Sequence, residues 1–200
     1  MKSFNGVVII DAGHGPETPG KRSPIWSDGK QLLEYEMNRK IALIYFQLLE
    51  AEGVKTKFVF DMNKDTSLST RVRRADKIYE EHPDSFLVSI HCNAGGGTGW
   101  ECFTSKGNTE SDSIASYFCY EAEKTWPNKQ MRFDWSDGDP DKEEDFYVLT
   151  RTKCPAVLTE NFFMDNEEDC RYLLHPESVI DIAEMHFRAT MDYIKEYGNN

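Results

Sequence analysis

The apolar positions of the chain fall into two rhythms. Val7-Val8-Ile9-Ile10 is an unbroken run of β-branched residues, which predicts a strand buried on both faces. The run stops at Ala12-Gly13, and His14 follows between two glycines. Glycine's freedom to take positive φ predicts a sharp turn here, with the imidazole projecting from the strand's end. Residues 15–29 are rich in Pro and Gly and read as a loop. From about 32 to 52 the rhythm changes. Leu33, Met37, Ile41, Ile44, Tyr45 and Leu48 recur at steps of three and four, which predicts an amphipathic helix closed by Gly53.

The two rhythms then alternate to the end of the chain. Residues 54–60 predict a second strand. Residues 71–81 predict a helix with Val72, Ala75, Ile78 and Tyr79 on one face, an N-cap among 65–69 and a stop before Pro83. Strands follow at 86–94 and 100–104, then a helix at 111–125 that turns Ile114, Ala115, Phe118 and Ala122 inward. The polar segment 128–145, with Asp-Gly-Asp-Pro-Asp at 137–141, reads as a surface excursion. Two more strands are expected at 146–149 and 156–163. A last helix at 177–196 is expected to bury Ile180, Ala183, Phe187, Met191 and Ile194. Strands alternating with helices imply an α/β fold: one domain over residues 1–200, with a mostly parallel (mixed) six-stranded sheet and helices on both faces. The glycine-rich link 95–99 is short enough to allow one antiparallel pair.

Composition narrows the function. With 200 residues, 39% of them hydrophobic, the chain can bury one sizeable core. A formal net charge of -12 argues against a general nucleic-acid binder. No apolar run approaches the roughly 18–20 residues of a spanning helix, so no membrane insertion is expected. Residues 1–6 lead straight into strand pattern without a signal peptide's apolar segment, so synthesis in the cytoplasm is expected. The five cysteines are odd in number and form no Cys-x-x-Cys pair, which suits reduced, buried thiols. Oligomeric state is not encoded in any of these features.

Four polar residues stand where core elements begin, end or are interrupted: His14 after the first strand, Glu34 in the first helical turn, His91 closing the third strand, and Glu160 within the apolar run 156–163. Each has a structural explanation. Glu34 can complement a helix dipole, and His91 can be a hydrogen-bonded core histidine. Glu160 is harder to place that way, because a carboxylate in a buried strand is costly unless paired or functional. Two histidines and a carboxylate make the ligand set of a catalytic zinc site, in which the pKa of a bound water falls towards about 7. A further carboxylate nearby can act as general base. Strand alternation places His91 and Asn93 on one face and Cys92 on the other, so Cys92 and His91 cannot form a nucleophile–base pair.

Asp11-Ala12-Gly13-His14-Gly15, Glu34-Tyr35-Glu36-Met37-Asn38, Ser89-Ile90-His91-Cys92-Asn93-Ala94, and Pro155-Ala156-Val157-Leu158-Thr159-Glu160 with Asn166 together resemble the zinc-dependent N-acetylmuramoyl-L-alanine amidases of bacterial autolysins and phage lysins. Leu68-Ser69-Thr70-Arg71-Val72 and Ala75 fit the same family. The resemblance implies Zn2+ on His14, Glu34 and His91, and Glu160 as the catalytic carboxylate. It also implies Asn93 and Arg132 near the substrate, which would be peptidoglycan or a muropeptide cut between N-acetylmuramic acid and L-alanine. A phage-type lysin and a wall-turnover enzyme fit equally. One departure is that Pro16 and Glu17 follow Gly15, where the family more often has glycine and a polar residue. His14 and Glu17 then form an H-x-x-E spacing, as in a zinc carboxypeptidase-like peptidase with Glu17 as ligand in place of Glu34. Pro16 and Pro19 stiffen the loop around Glu17 and favour Glu34. A non-catalytic wall-binding domain on the same fold is the remaining alternative.

Overall fold

In the structure, a computed structural model that describes residues 4–198, the first apolar run becomes the strand β1 (Val8–Ala12), buried along its whole length. Met1-Lys2-Ser3, part of the stretch in which no leader was read, lie outside the described residues, as do residues 199 and 200. The elements follow in the order α1 (Glu34–Ala51), β2 (Thr56–Phe58), α2 (Leu68–Glu81), β3 (Phe86–Asn93), β4 (Trp100–Thr104), α3 (Glu110–Thr125), β5 (Lys142–Glu143), α4 (Tyr147–Arg151), β6 (Ala156–Phe163), α5 (Glu167–Leu173) and α6 (Pro176–Tyr197). The strands form one sheet in the order β2-β1-β3-β6-β4-β5. Successive side chains on a strand face opposite ways. Val8, Ile10, Val88 and Ile90 therefore pack with residues of α1, α3 and α6, such as Tyr45, Phe118 and Ala189. Val7, Ile9, Leu87 and Leu158 pack with Ala75 and Ile78 of α2 and Val148 and Leu149 of α4. Both faces are covered, as the unbroken β-branched run requires. No helix among the described residues is long and apolar enough to cross a membrane. All five cysteines are buried and unbridged.

Four expectations are corrected. The antiparallel strand is β4, but it pairs with β6 rather than with β3, so the 95–99 link carries the chain past a neighbour instead of closing a hairpin. Residues 146–149 are not a strand. Leu149 and Thr150 donate their backbone N–H groups to the Phe146 carbonyl at 3.0 Å each, and adjacent Val148 and Leu149 both face α2, an arrangement open to a helix and closed to a strand. A four-residue apolar run carries too little periodicity to separate the two. The sixth strand is the two-residue β5, inside the excursion, parallel to β4. Finally, α6 presents a different stripe: Ile182, Ala183, Met185, His186, Ala189, Thr190, Tyr193 and Ile194 are buried, whereas Ile180 is 46% exposed. Two polar residues can line the core because they are satisfied. The His186 ring bonds Thr159 Oγ1 at 2.9 Å and the Ile182 carbonyl at 2.8 Å, and Tyr45 and Thr190 share a hydroxyl hydrogen bond. Counting apolar residues alone slides that stripe around the helix. The short α5, absent from the sequence reading, is capped by Asn166, whose Oδ1 accepts from Glu168 and Asp169 N–H at 3.1 and 3.2 Å.

β3 and β6 also carry an irregularity beside the site. His91 is level with Glu160, but Asn93 is level with Phe163, so Asn161 and Phe162 oppose Cys92 alone. Phe162 absorbs the extra residue with φ +65°.

A buried ion pair ties the second helix to the first strand. Arg71 of α2 pairs with Asp11 and donates to the Ala12 carbonyl at 2.6 Å, the His14 carbonyl at 3.1 Å and, through Nε, the Thr66 carbonyl at 2.8 Å. Asp11 takes a further bond from Ser89 Oγ at 2.8 Å. Arg71→Met removes the charge that Asp11 needs and leaves three carbonyls short of a donor. Urea unfolding should show a loss of about 3–5 kcal/mol.

Candidate metal centre

His14, Glu34 and His91 converge at the carboxyl end of β1 and β3, and each offers a ligand atom within 4.8 Å of the others. Glu34 stands at the N-terminus of α1 and is 1% exposed. One of its oxygens, Oε1, faces both imidazoles, 3.3 Å from His14 Nε2 and 3.2 Å from His91 Nδ1. The two rings meet edge to face with centroids 5.0 Å apart. Glu34 Oε2 is buried without any hydrogen-bond partner. Burial works to raise the Glu34 pKa, but the hydrogen bonds from His14 and His91 prevail and hold the carboxyl well below the usual range. Burial works to lower that of His91, and the Glu34 hydrogen bond and the Glu160 charge raise it instead. A carboxylate kept ionised between two imidazole nitrogens, with a spare buried oxygen, suits a divalent cation.

The glycines around His14 do something other than the sequence suggested. Positive φ falls on His14 itself, at +64°, and not on Gly13 or Gly15. The glycines are needed for close approach: a Cβ on Gly13 would sit 2.1–2.5 Å from the His91 ring, and one on Gly15 would sit 2.4 Å from the Asp65 Cα. Asn38 Nδ2, one turn into α1, donates to the Gly13 carbonyl at 3.2 Å and holds the turn down. Arg39 adds a bond to the His14 carbonyl at 3.4 Å. A groove of about 280 Å³ opens beside the two histidines, with Asp65, Ser67 and Leu68 on its far wall.

Glu17 does not join this group. Its Oε2 accepts the Asp65 N–H at 2.8 Å, and Thr18 Oγ1 donates to Asp65 Oδ2 at 2.6 Å, so the loop's acid clasps the 61–67 segment. Glu160 is level with His91 on one side and with Glu101 on the other, so the three side chains share one face of the sheet across β3, β6 and β4. Glu160 Oε2 is buried and without a hydrogen-bond partner. Burial pushes the Glu160 carboxyl up to about 8, against the pull of His91.

Asn93 and Arg132 meet on the same carboxylate, and it is one the sequence reading missed. Glu101, 3% exposed, accepts from Asn93 Nδ2 at 2.9 Å and Arg132 Nε at 2.8 Å, and forms an ion pair with Lys142. The Arg132 guanidinium also lies over the Phe163 ring, 5.2 Å from its centroid. The signal for Glu101 was present in the sequence: like Glu160, it is a carboxylate inside an otherwise apolar strand. Lys142, inside a polar segment, carried no such signal.

The sequence profile of the N-acetylmuramoyl-L-alanine amidases matches residues 8–191, from β1 through most of α6. The chain belongs to that family. This amidase-family chain is similar to the sporulation-specific N-acetylmuramoyl-L-alanine amidase of Bacillus subtilis (strain 168), at 30% identity over 182 residues, 90% of this chain and 64% of that protein. It is also similar to the endolysin of Bacillus phage SPP1, at 29% identity over 188 residues, 90% of this chain and 63% of that protein. It thus spans slightly under two thirds of the length of these curated relatives. The amidase fold is shared with the crystal structure of N-acetylmuramoyl-L-alanine amidase from Clostridium difficile 630, with a TM-score of 0.82 at 22% identity, covering 98% of this chain and 100% of that one.

Replacing ligands separates the two carboxylate candidates in this amidase-family chain. Metal analysis after zinc loading and desalting should find about one ion per chain in the native protein and in Glu17→Ala, and far less in Glu34→Ala. Gly13→Ala should also lose metal, because the added methyl displaces the His91 ring.

Proposed function

We propose that the chain is a zinc-dependent amidase that hydrolyses the bond between the lactyl group of N-acetylmuramic acid and the L-alanine of the stem peptide in peptidoglycan. The observation that carries this reading is the buried, unpartnered Glu160 carboxyl oxygen on the strand next to His91, in a chain of the amidase family. His14, Glu34 and His91 would hold the ion; two nitrogens and one oxygen suit zinc and leave a position open. When bound, zinc supplies Lewis acidity, polarising the scissile carbonyl and acidifying water.

The remaining steps belong to the protein. Glu160 takes the proton of the attacking water as the new C–O bond forms, and it returns that proton to the alanine nitrogen as the C–N bond breaks. Its buried setting supports both roles, since a carboxyl raised towards neutrality accepts and releases a proton at little cost. Arg71 and Arg39 fix the backbone that presents His14, through bonds to its carbonyl. Asn93, Arg132 and Lys142 border the site on the Glu101 side and would line the substrate's path. The Glu17 peptidase reading is not favoured, because that carboxylate is spent on Asp65.

Glu160→Gln should keep its zinc and lose turnover by about 10²–10⁴-fold, measured as amine release from purified peptidoglycan. A non-catalytic wall-binding domain would show no turnover to lose. Digestion by the native protein should yield new L-alanine amino termini. New carboxyl termini within the stem peptide would mark a peptidase and defeat the proposal.

A further inference from the structure

Of the twelve residues 134–145, seven are acidic and one is basic. Trp135, on the outer part of this excursion, is 56% exposed. Yet Asp141, near its end, is 2% exposed. One of its oxygens, Oδ2, accepts from the Thr104 hydroxyl on β4 at 2.8 Å. The other, Oδ1, is buried with no hydrogen-bond partner at all. The Asp139 carboxyl lies against that of Asp141, and Asp112 in the first turn of α3 adds its charge from the helix side.

No basic residue balances these carboxylates. Lys142 is directed to Glu101, Lys106 pairs with Asp145, and among the described residues no Lys or Arg forms an ion pair with Asp112, Asp139 or Asp141. Burial and the neighbouring Asp139 push the Asp141 carboxyl up to about 8. A buried carboxylate with a second carboxylate against it is stable only if something positive, a proton or a cation, lies between them.

We propose that Asp139 and Asp141, with the Thr104 hydroxyl, form a second metal site, selective for a hard divalent cation such as calcium, which fastens the excursion to β4. The donor set is all oxygen, and no histidine or cysteine nitrogen or thiolate enters it, so it discriminates against zinc. Calcium takes six to eight oxygens in flexible geometry and draws the rest from backbone carbonyls and water, whereas magnesium demands a near-ideal octahedron. The site is separate from the His14–Glu34–His91 group. Lys142 lies on the Glu101 face of the sheet, and its neighbour Asp141 turns to the Thr104 and α3 face. Bound calcium would brace the arm that delivers Lys142 to Glu101, one strand from Glu160.

Zinc-loaded protein in calcium-free buffer, titrated with calcium chloride by calorimetry, should take up one calcium per chain with Kd of about 0.1–1 mM, the weak end of protein calcium sites. Its Tm should rise by several degrees. Asp139→Asn, at a partly exposed position that does not threaten folding, should weaken uptake at least tenfold and abolish the Tm rise, with zinc content unchanged. Three results would overturn the proposal: no saturable uptake up to 10-fold above that range, identical uptake by Asp139→Asn, or an Asp141→Asn variant whose Tm rises without any calcium dependence in the native protein, which would mean that the pair shares a proton. None of these readouts requires amidase activity.

Discussion

Arg71 fixes the geometry on which the site depends. His14 has to leave β1 in a left-handed conformation, one that L residues with a Cβ adopt at a cost of roughly 1–2 kcal/mol. That conformation persists because its carbonyl is held by Arg71 and Arg39, and because Arg71 is itself held by Asp11, one residue before the strand ends. A planar guanidinium with five donors in a fixed fork can satisfy several carbonyls at once, which a lysine in its place could not. The strain at His14 is thereby offset within the same structure that stabilises the sheet. Loss of the arginine would loosen the candidate metal site and the fold together.

Three carboxylates in or beside the site have three different electrostatic settings. Glu34 is buried but sits between two imidazoles, which keep it ionised and able to ligate. Glu101 is buried between an arginine and a lysine, which neutralise it and occupy both its oxygens. Glu160 lies level with His91 and Glu101, forms no ion pair with a Lys or Arg among the described residues, and burial raises its pKa. A general base needs that last environment, and a ligand needs the first. The sheet register sets the difference: neighbouring strands are about 5 Å apart, so a group on β6 feels both flanking strands without touching the partners of either. The extra residue at Phe162 lies two positions after Glu160, and Asn161 between them donates to the His91 carbonyl.

Much of this was legible in the sequence, and the failures have physical causes. β1, β3 and β6 were readable because β-branched runs leave little alternative, and α1, α2 and α3 because their stripes are apolar. The candidate site residues stood out for the same reason inverted: His14, His91 and Glu160 interrupt or terminate those runs. Glu34 was readable mainly through the amidase resemblance. The strand assigned to 146–149 failed because four apolar residues fit a helical turn as well as a strand, and packing against α2 decided between them. The misplaced stripe of α6 failed because His186 and Thr190 are buried through hydrogen bonds to residues distant in sequence, which no local pattern encodes. The clasp of Glu17 on Asp65 is also a contact between distant segments, 48 residues apart. Lys142 was invisible because its partner Glu101 lies 41 residues away across an edge that the sequence assigned elsewhere.

The sheet ends, on both sides, in very short strands: three residues in β2 and two in β5. Each outer strand carries a lysine, Lys57 and Lys142. An unpaired strand edge is a template for any extended chain that meets it, and its hazard grows with the length of the ladder it offers. These margins offer only a short ladder apiece. Two copies of the molecule therefore have little with which to join sheet to sheet, even where they are crowded together.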